Sequence, residues 1–230
     1  MKGKLYGVGV GPGDPELITI KALRLTKEAD LLAFPGEDPE ESVAYKIMKG
    51  AYPEISFKEK ISLPMPMTKE KEELKQVHDE GARIICSYLD QGKNVVFLTL
   101  GDPTVYSTYL YIHKRVRNNG YETEIISGIP SFCAVSARLN EGLVEKAQQL
   151  HVIPASYQIA EALELPGTKV LMKAGKKIQD VKEMLKVSGK NAVMLQNCGM
   201  PDEKIYRTVE EIPEDAGYYS LIIVKEKEEL

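Results

Sequence analysis

Residues 4–22 read KLYGVGVGPGDPELITIKA, and the order of residue types in this stretch decides the fold. Lys4–Gly9 alternates apolar residues with glycine and reads as a strand. Gly7, Gly9, Gly11 and Gly13 carry the chain into a tight loop. Asp14 is then a natural N-cap, Pro15 suits a first helical position and Glu16 complements the helix dipole. Leu17, Ile20, Ala22 and Leu23 are spaced to face a sheet. A glycine has no Cβ, so a ligand or a neighbouring loop can approach its backbone, and a helix N-terminus offers unpaired N–H groups. Two phosphate-binding fingerprints fail here. G-x-G-x-x-G meets Pro12, Asp14 or Glu16 at its third glycine from each start, and no G-x-x-x-x-G-K-[ST] occurs. A turn that only packs the first strand on its helix fits the loop equally well.

Outward from this unit, apolar runs alternate with segments of helical period, the pattern of an α/β protein with a parallel sheet. Strands are expected at Lys4–Gly9, Asp30–Phe34, Ile55–Lys60, Asn94–Leu100 and Glu122–Ile126, and helices at Lys69–Gln91, Tyr106–Asn118 and Ser131–Leu139. The polar stretch NEGLVEKAQQ at 140–149 marks a boundary, dividing the chain into domains 1–142 and 143–230. The second domain is expected to carry strands at Leu150–Ile153, Lys169–Met172, Asn191–Gln196, Glu203–Thr208 and Tyr218–Lys225, with a helix near Ile178–Ser188. The last two strands, with Pro213 and Gly217 between them, read as an antiparallel edge pair.

Composition narrows the function classes. Hydrophobic residues make up 43% and charged residues 28%, an ordinary globular balance, and the net charge of −4 comes with no basic block, which argues against nucleic acid as a partner. No run reaches the roughly 18 apolar residues of a membrane span, and the N-terminus lacks an unbroken apolar signal region, so a cytoplasmic protein is expected. Cys86, Cys133 and Cys198 lie far apart with no C-x-x-C spacing, and His78, His113 and His151 are scattered. No metal site is expected.

Two further loops follow strands. Leu98-Thr99-Leu100-Gly101-Asp102-Pro103 ends a buried-strand run in a turn, where Asp102 suits either a cap or a bond from a cofactor amine. Ser127-Gly128-Ile129-Pro130-Ser131-Phe132 again follows a strand and opens a helix. Ligands of open α/β sheets bind beyond the carboxyl ends of strands, so three such loops converging there point to a binding site.

The set GVGVGPGDPELITIKA at 7–22, LTLGDPTVYST at 98–108 and SGIPSF at 127–132, in this order and spacing, resembles the tetrapyrrole (corrin/porphyrin) methylase family. LMKAG at 171–175 and NCGMPDEKIYRT at 197–208 extend the likeness, and the YST after GDPTV most resembles the branch that methylates carbon 20 of precorrin-2 or its cobalt form in cobalamin biosynthesis. The resemblance implies two α/β domains with S-adenosylmethionine in the cleft between them. Position by position it places Pro12 beside the cofactor, Leu100, Gly101 and Asp102 on its methionine part with Val105 behind them, and Pro130, Ser131 and Phe132 on the opposite wall. Met172, Cys198, Ser220 and Leu221 would hold the adenosine from the second domain. Many relatives have Tyr-Met-Gly where this chain has Leu171-Met172-Lys173. A homodimer is implied too.

A reduced tetrapyrrole already has nucleophilic carbons, so the protein has mainly to align substrate and methyl donor and exclude water. Asp102 and Tyr106 are candidates to assist the departing proton. Lys173, Lys176, Lys177 and Arg138 are candidate partners for the substrate's carboxylates, and each also suits a solvated surface charge. Two rivals stand beside this reading. A classical Rossmann methyltransferase wants an acid before its glycines, where Leu5 stands, and a non-catalytic nucleotide-binding module would need only the glycine loops.

Overall fold

The computed structural model describes residues 1–66, 68, 70–155 and 159–226, without the side chain of Lys176. The chain divides into two compact units, 1–130 and 131–230. Both are α/β, as the alternating pattern predicts.

In the first unit, β1 (Leu5–Gly9), β2 (Leu31–Pro35), β3 (Lys60–Leu63), β4 (Val95–Thr99) and β5 (Thr123–Ile126) form one parallel sheet in the order β3-β2-β4-β1-β5. Both faces are covered, so runs such as LLAF and VVFL are apolar at every position. Val8, Leu32, Phe34, Val96 and Leu98 pack on α1 (Ile20–Glu28) and α2 (Val43–Ala51). Leu5, Leu31, Ala33, Val95 and Phe97 pack on α3 (Lys71–Asp90) and α4 (Tyr109–Asn118).

Local chemistry shifts several expected boundaries. Asp14 caps only a 3-10 turn, Pro15–Leu17, by accepting the Glu16 amide at 2.9 Å. Thr19 then caps α1 through the Ala22 amide at 3.1 Å, so the helix presents Ala22 and Leu25 to the core while Ile20 points to solvent. The strand expected over Ile55–Lys60 begins instead at Lys60. Pro53 starts a 3-10 turn, Pro53–Phe57, and the Ser56 hydroxyl donates back to the Pro53 carbonyl at 2.8 Å. Lys69, the expected start of α3, lies outside the described residues. Helix α4 opens at Tyr109 rather than Tyr106, because Tyr106 sits at φ 50°.

The second unit contains α5 (Ser131–Leu139), β6 (Leu150–Pro154), α6 (Ile159–Leu163), β7 (Thr168–Met172), α7 (Ile178–Ser188), β8 (Asn191–Gln196), β9 (Lys204–Tyr206) and β10 (Ser220–Lys225). Its sheet order is β6-β7-β10-β8-β9. β6 and β7 are parallel, and β10 runs antiparallel to both β7 and β8. The expected closing edge pair is therefore corrected. Of the pair, β10 is the central strand and only β9 lies at an edge, and each residue from Ser220 to Val224 is buried. A run apolar on both faces belongs in the middle of a sheet. The unit boundary also differs from the expected 142. Val135 and Leu139 of α5 pack on Val170, Leu195, Leu221 and Ile223, so α5 belongs to the second unit, and 140–149 is a mostly exposed connection within it.

Candidate cofactor site

The carboxyl ends of β4, β1 and β5 are neighbours, and backbone bonds lace their loops together. The Val10 amide donates to the Thr99 carbonyl at 3.0 Å, and Gly11 and Gly101 exchange N–H···O bonds of 3.3 and 2.8 Å as an antiparallel bridge. The loop after β5 closes the group at Gly128. A Cβ on Gly128 would stand 2.2 Å from the Gly101 carbonyl oxygen, and one on Gly9 would stand 2.4 Å from the same atom, so Gly9 and Gly128 can approach that carbonyl only as glycines. Gly7 serves packing instead, since a Cβ there would fall inside the Tyr109 ring.

Gly101 itself has φ +69°, and a Cβ on it would meet nothing nearer than the Ile129 carbonyl at 4.0 Å. Its Cα thus looks onto open space within the unit, which suits close approach by a ligand. The next residue, Asp102, is buried with both oxygens engaged. Oδ1 accepts from the Thr104 amide at 2.7 Å and its hydroxyl at 2.5 Å, and Oδ2 accepts from the Gly128 amide at 3.1 Å. The carboxylate therefore ties the loop after β4 to the loop after β5. Pro12 is buried in the glycine loop, Leu100 packs on the first core, and Val105 and Pro130 are half-buried beside these loops. Tyr106 is exposed. The structure thus gathers Pro12, Leu100, Gly101, Asp102, Val105 and Pro130 at one end of the first sheet.

The second unit gathers a different kind of set. Met172 ends β7 and lies in register with Leu221 on β10. Together with Phe132 of α5 and Cys198 after β8, they share one apolar cluster. Ser220, buried, donates its hydroxyl to the Gly217 carbonyl at 2.7 Å, and Ser131 opens α5. The loop carrying Cys198 is held by Glu203, whose carboxylate accepts from the Gly199 amide at 2.8 Å and from Arg138 Nε at 2.6 Å. Burial pushes the Glu203 carboxyl up, but that amide and Arg138 outweigh it and hold it below the usual carboxylate range. Arg138 is thus already paired with an acid. Lys177 is exposed, the Lys173 ammonium lies 5.9 Å from the Tyr218 ring centre, and the Lys176 side chain lies outside the described residues.

Backbone strain adds a signal that residue types alone do not carry. Tyr106, Lys173 and Asn197 all have positive φ, and they adjoin Val105, Met172 and Cys198. Non-glycine residues in this region are costly and cluster at functional sites. Of the three, only Asn197 is of a type that favours the conformation. Among the described residues, no three His, Cys, Asp or Glu side chains come together as a metal site, and no helix is long and apolar enough to cross a membrane.

Comparison with known proteins follows the same lines. The family described as Tetrapyrrole (Corrin/Porphyrin) Methylases matches residues 4–213. The chain is 32% identical to the cobalt-precorrin-2 C(20)-methyltransferase of Salmonella typhimurium, with 99% of this chain and 98% of that one aligned. It is 33% identical to the probable cobalt-precorrin-2 C(20)-methyltransferase of Methanocaldococcus jannaschii, with 96% of each covered. Among solved structures, a cobalt precorrin-4 methyltransferase superposes with a TM-score of 0.76 at 21% identity, covering 96% of this chain and 94% of that one. The uroporphyrin-III C-methyl transferase of Thermus thermophilus, complexed with S-adenyl homocysteine, superposes with a TM-score of 0.70 at 22% identity, covering 97% of each.

Proposed function

Because the chain belongs to the tetrapyrrole (corrin/porphyrin) methylases, we propose that it transfers a methyl group from S-adenosylmethionine to carbon 20 of precorrin-2, or of its cobalt form, in cobalamin biosynthesis. When bound, the cofactor supplies an electrophilic sulfonium methyl. The single observation that carries the cofactor's placement is the open side of Gly101, framed by loops whose backbones are fixed to one another. On this reading Pro12 lies beside the cofactor, Leu100, Gly101 and Asp102 bind its methionine part with Val105 behind them, Pro130, Ser131 and Phe132 line the opposite wall, and Met172, Cys198, Ser220 and Leu221 hold the adenosine.

The chain's own residues then have two tasks. Fixed backbone aligns the methyl donor, and the apolar cluster excludes water from it. Asp102, with both oxygens taken, acts as the brace between two loops. Tyr106, exposed and held at φ 50°, is the candidate to help the proton leave carbon 20. The proposal includes a cytoplasmic location and a homodimer, the second of which sedimentation of the purified protein reads directly.

The experiment that tests the function is turnover with S-adenosylmethionine on precorrin-2 and, separately, on cobalt-factor II, with the product's methyl position read by NMR. Methylation at carbon 20 of either substrate is expected. Methylation at another carbon, or none on both while S-adenosylmethionine still binds, would remove the substrate assignment.

A further inference from the structure

Between the end of β4 and the start of α4 the chain reads Thr99-Leu100-Gly101-Asp102-Pro103-Thr104-Val105-Tyr106-Ser107-Thr108-Tyr109. Tyr106, at φ 50°, is its strained non-glycine residue. A tyrosine side chain makes no short-range bond that favours the left-handed region, so this conformation persists only where both flanks are fixed.

The flank before Tyr106 is fixed by Asp102. Its carboxylate accepts the Thr104 amide at 2.7 Å and its carbonyl accepts the Val105 amide at 3.2 Å, which closes a turn one residue short of Tyr106. The flank after it is fixed by Ser107. The Ser107 Oγ accepts the Tyr109 amide at 3.3 Å, and its carbonyl accepts the Leu110 amide at 3.3 Å, so Ser107 is tied to the first turn of α4. The same Oγ lies 3.1 Å from Oγ1 of Thr99 in a second hydrogen bond, since a hydroxyl both donates and accepts.

Opening a helix requires only the bond to the Tyr109 amide. The bond to Thr99 does something further. Thr99 is the last residue of β4 and is buried, and its carbonyl accepts the Val10 amide of the glycine loop at 3.0 Å. The hydroxyl pair therefore fixes the start of α4 against the strand end that leads into Gly101, and Tyr106 takes up the geometry left between the two anchors.

We propose that the Thr99–Ser107 hydroxyl pair is a clamp that holds Tyr106 in its left-handed conformation and so positions its side chain for the methylation step. This rests on the role given to Tyr106 under the proposed function. Thr99 and Ser107 act as positioning residues, through Tyr106. With the clamp broken, Tyr106 relaxes to an ordinary negative φ, which re-aims its Cα–Cβ bond.

The test uses the whole protein. Ser107→Ala and Thr99→Val should each lower kcat on precorrin-2 or cobalt-factor II at least about tenfold, with KM and S-adenosylmethionine affinity within about twofold, because a displacement of about 1 Å in a reacting group is enough for such a loss. Thr99→Ser keeps the hydroxyl and should keep the parent's kcat. On a Tyr106→Phe background, Ser107→Ala should lower kcat no further, since the clamp acts through the Tyr106 hydroxyl. A second measurement needs no substrate. Breaking the clamp releases strain that offsets part of the lost stability, whereas Tyr106→Gly leaves no strain to release. Ser107→Ala should therefore lower the thermal midpoint by roughly 2–4 °C more on the Tyr106→Gly background than on the parent. Equal drops on the two backgrounds would show that Ser107 only opens α4, and would refute the clamp. Unchanged kcat in Ser107→Ala and Thr99→Val, or the same loss with Tyr106→Phe, refutes the positioning role and leaves the function standing. A parent that methylates neither substrate removes the function and the positioning role together, while the thermal midpoints still decide whether the clamp exists.

Discussion

The two units present their candidate residues by different physics. In the first, loop backbone is bonded to loop backbone. Gly11 bridges Gly101, Asp102 reaches the Gly128 amide, and Gly9 and Gly128 close on one carbonyl. In the second, Phe132, Met172, Cys198 and Leu221 are gathered by side-chain packing on a mixed sheet. Backbone contacts allow one residue type, whereas a packed apolar wall accepts any side chain of similar volume. The first arrangement should be brittle to mutation and the second forgiving.

The largest effect should come where a carbon must enter the backbone cluster. Gly128→Ala places a Cβ 2.2 Å from the Gly101 carbonyl oxygen and within 2.9 Å of Gly9 backbone atoms, none of which can swing aside. A loss of about 3 kcal/mol or more in urea unfolding is expected, or failure to fold. Met172→Leu in the second unit should cost under about 1.5 kcal/mol, because volume is nearly conserved. Equal costs for the two would break the comparison.

The same physics explains what the sequence could reveal. Glycines stand out as letters, whether demanded by backbone contact as at 9 and 128, by a packed ring as at 7 or by positive φ as at 101, so these loops are legible with no structure in view. The parallel first sheet is legible too, from apolar runs alternating with segments of helical period. Helix α2 is not. Its buried side is Ala44, Tyr45, Ile47 and Met48, and the lysines and Gly50 among them blur the period. The β10 position in the second sheet was misread because Pro213 and Gly217 suggested a hairpin edge, whereas pairing with β7 and β8 is long-range. The strain at Tyr106 and Lys173 leaves no mark in residue type, since it is imposed by the surrounding structure. The grouping of Met172, Cys198 and Leu221 came from family resemblance, because packing of ordinary apolar residues writes no motif.

A middle-sized effect separates ligand space from backbone strain at Gly101. Its φ of +69° penalises any β-branched residue, so Gly101→Val should lose about 1–3 kcal/mol of stability. Asparagine tolerates this conformation, so Gly101→Asn should lose about 1 kcal/mol or less. Both variants put a Cβ into the open space. Each should therefore lose at least about tenfold in S-adenosylmethionine affinity, or roughly 1.4 kcal/mol, by calorimetric titration. A Gly101→Asn protein that binds the cofactor normally would show that the open side of Gly101 faces something else.

The smallest effect tests whether side-chain pairs contribute appreciably to the first unit's rigidity. Glu124 on the edge strand β5 pairs with Lys21 at 2.7 Å and with Lys4 at 2.8 Å. Hydrogen bonds from Lys21 and Lys4 hold its carboxyl well below the ordinary 4.5, down to about 2. A depressed folded value means that the stabilisation is complete above about pH 4.5 and is lost as pH falls toward about 2. Its size is limited by water, because 34% of the Glu124 side chain and 53% of that of Lys21 are exposed. Screened pairs of this kind contribute no more than about 1 kcal/mol. Glu124→Gln should therefore cost at most about 1 kcal/mol at pH 7, and the gap from the parent should shrink as salt is raised. Below about pH 2 the two proteins should unfold at the same urea concentration, because the parent has then lost the same charge. A cost at pH 7 approaching that of Gly128→Ala would mean that this edge pair, and not the glycine backbone cluster, governs the rigidity of the first unit.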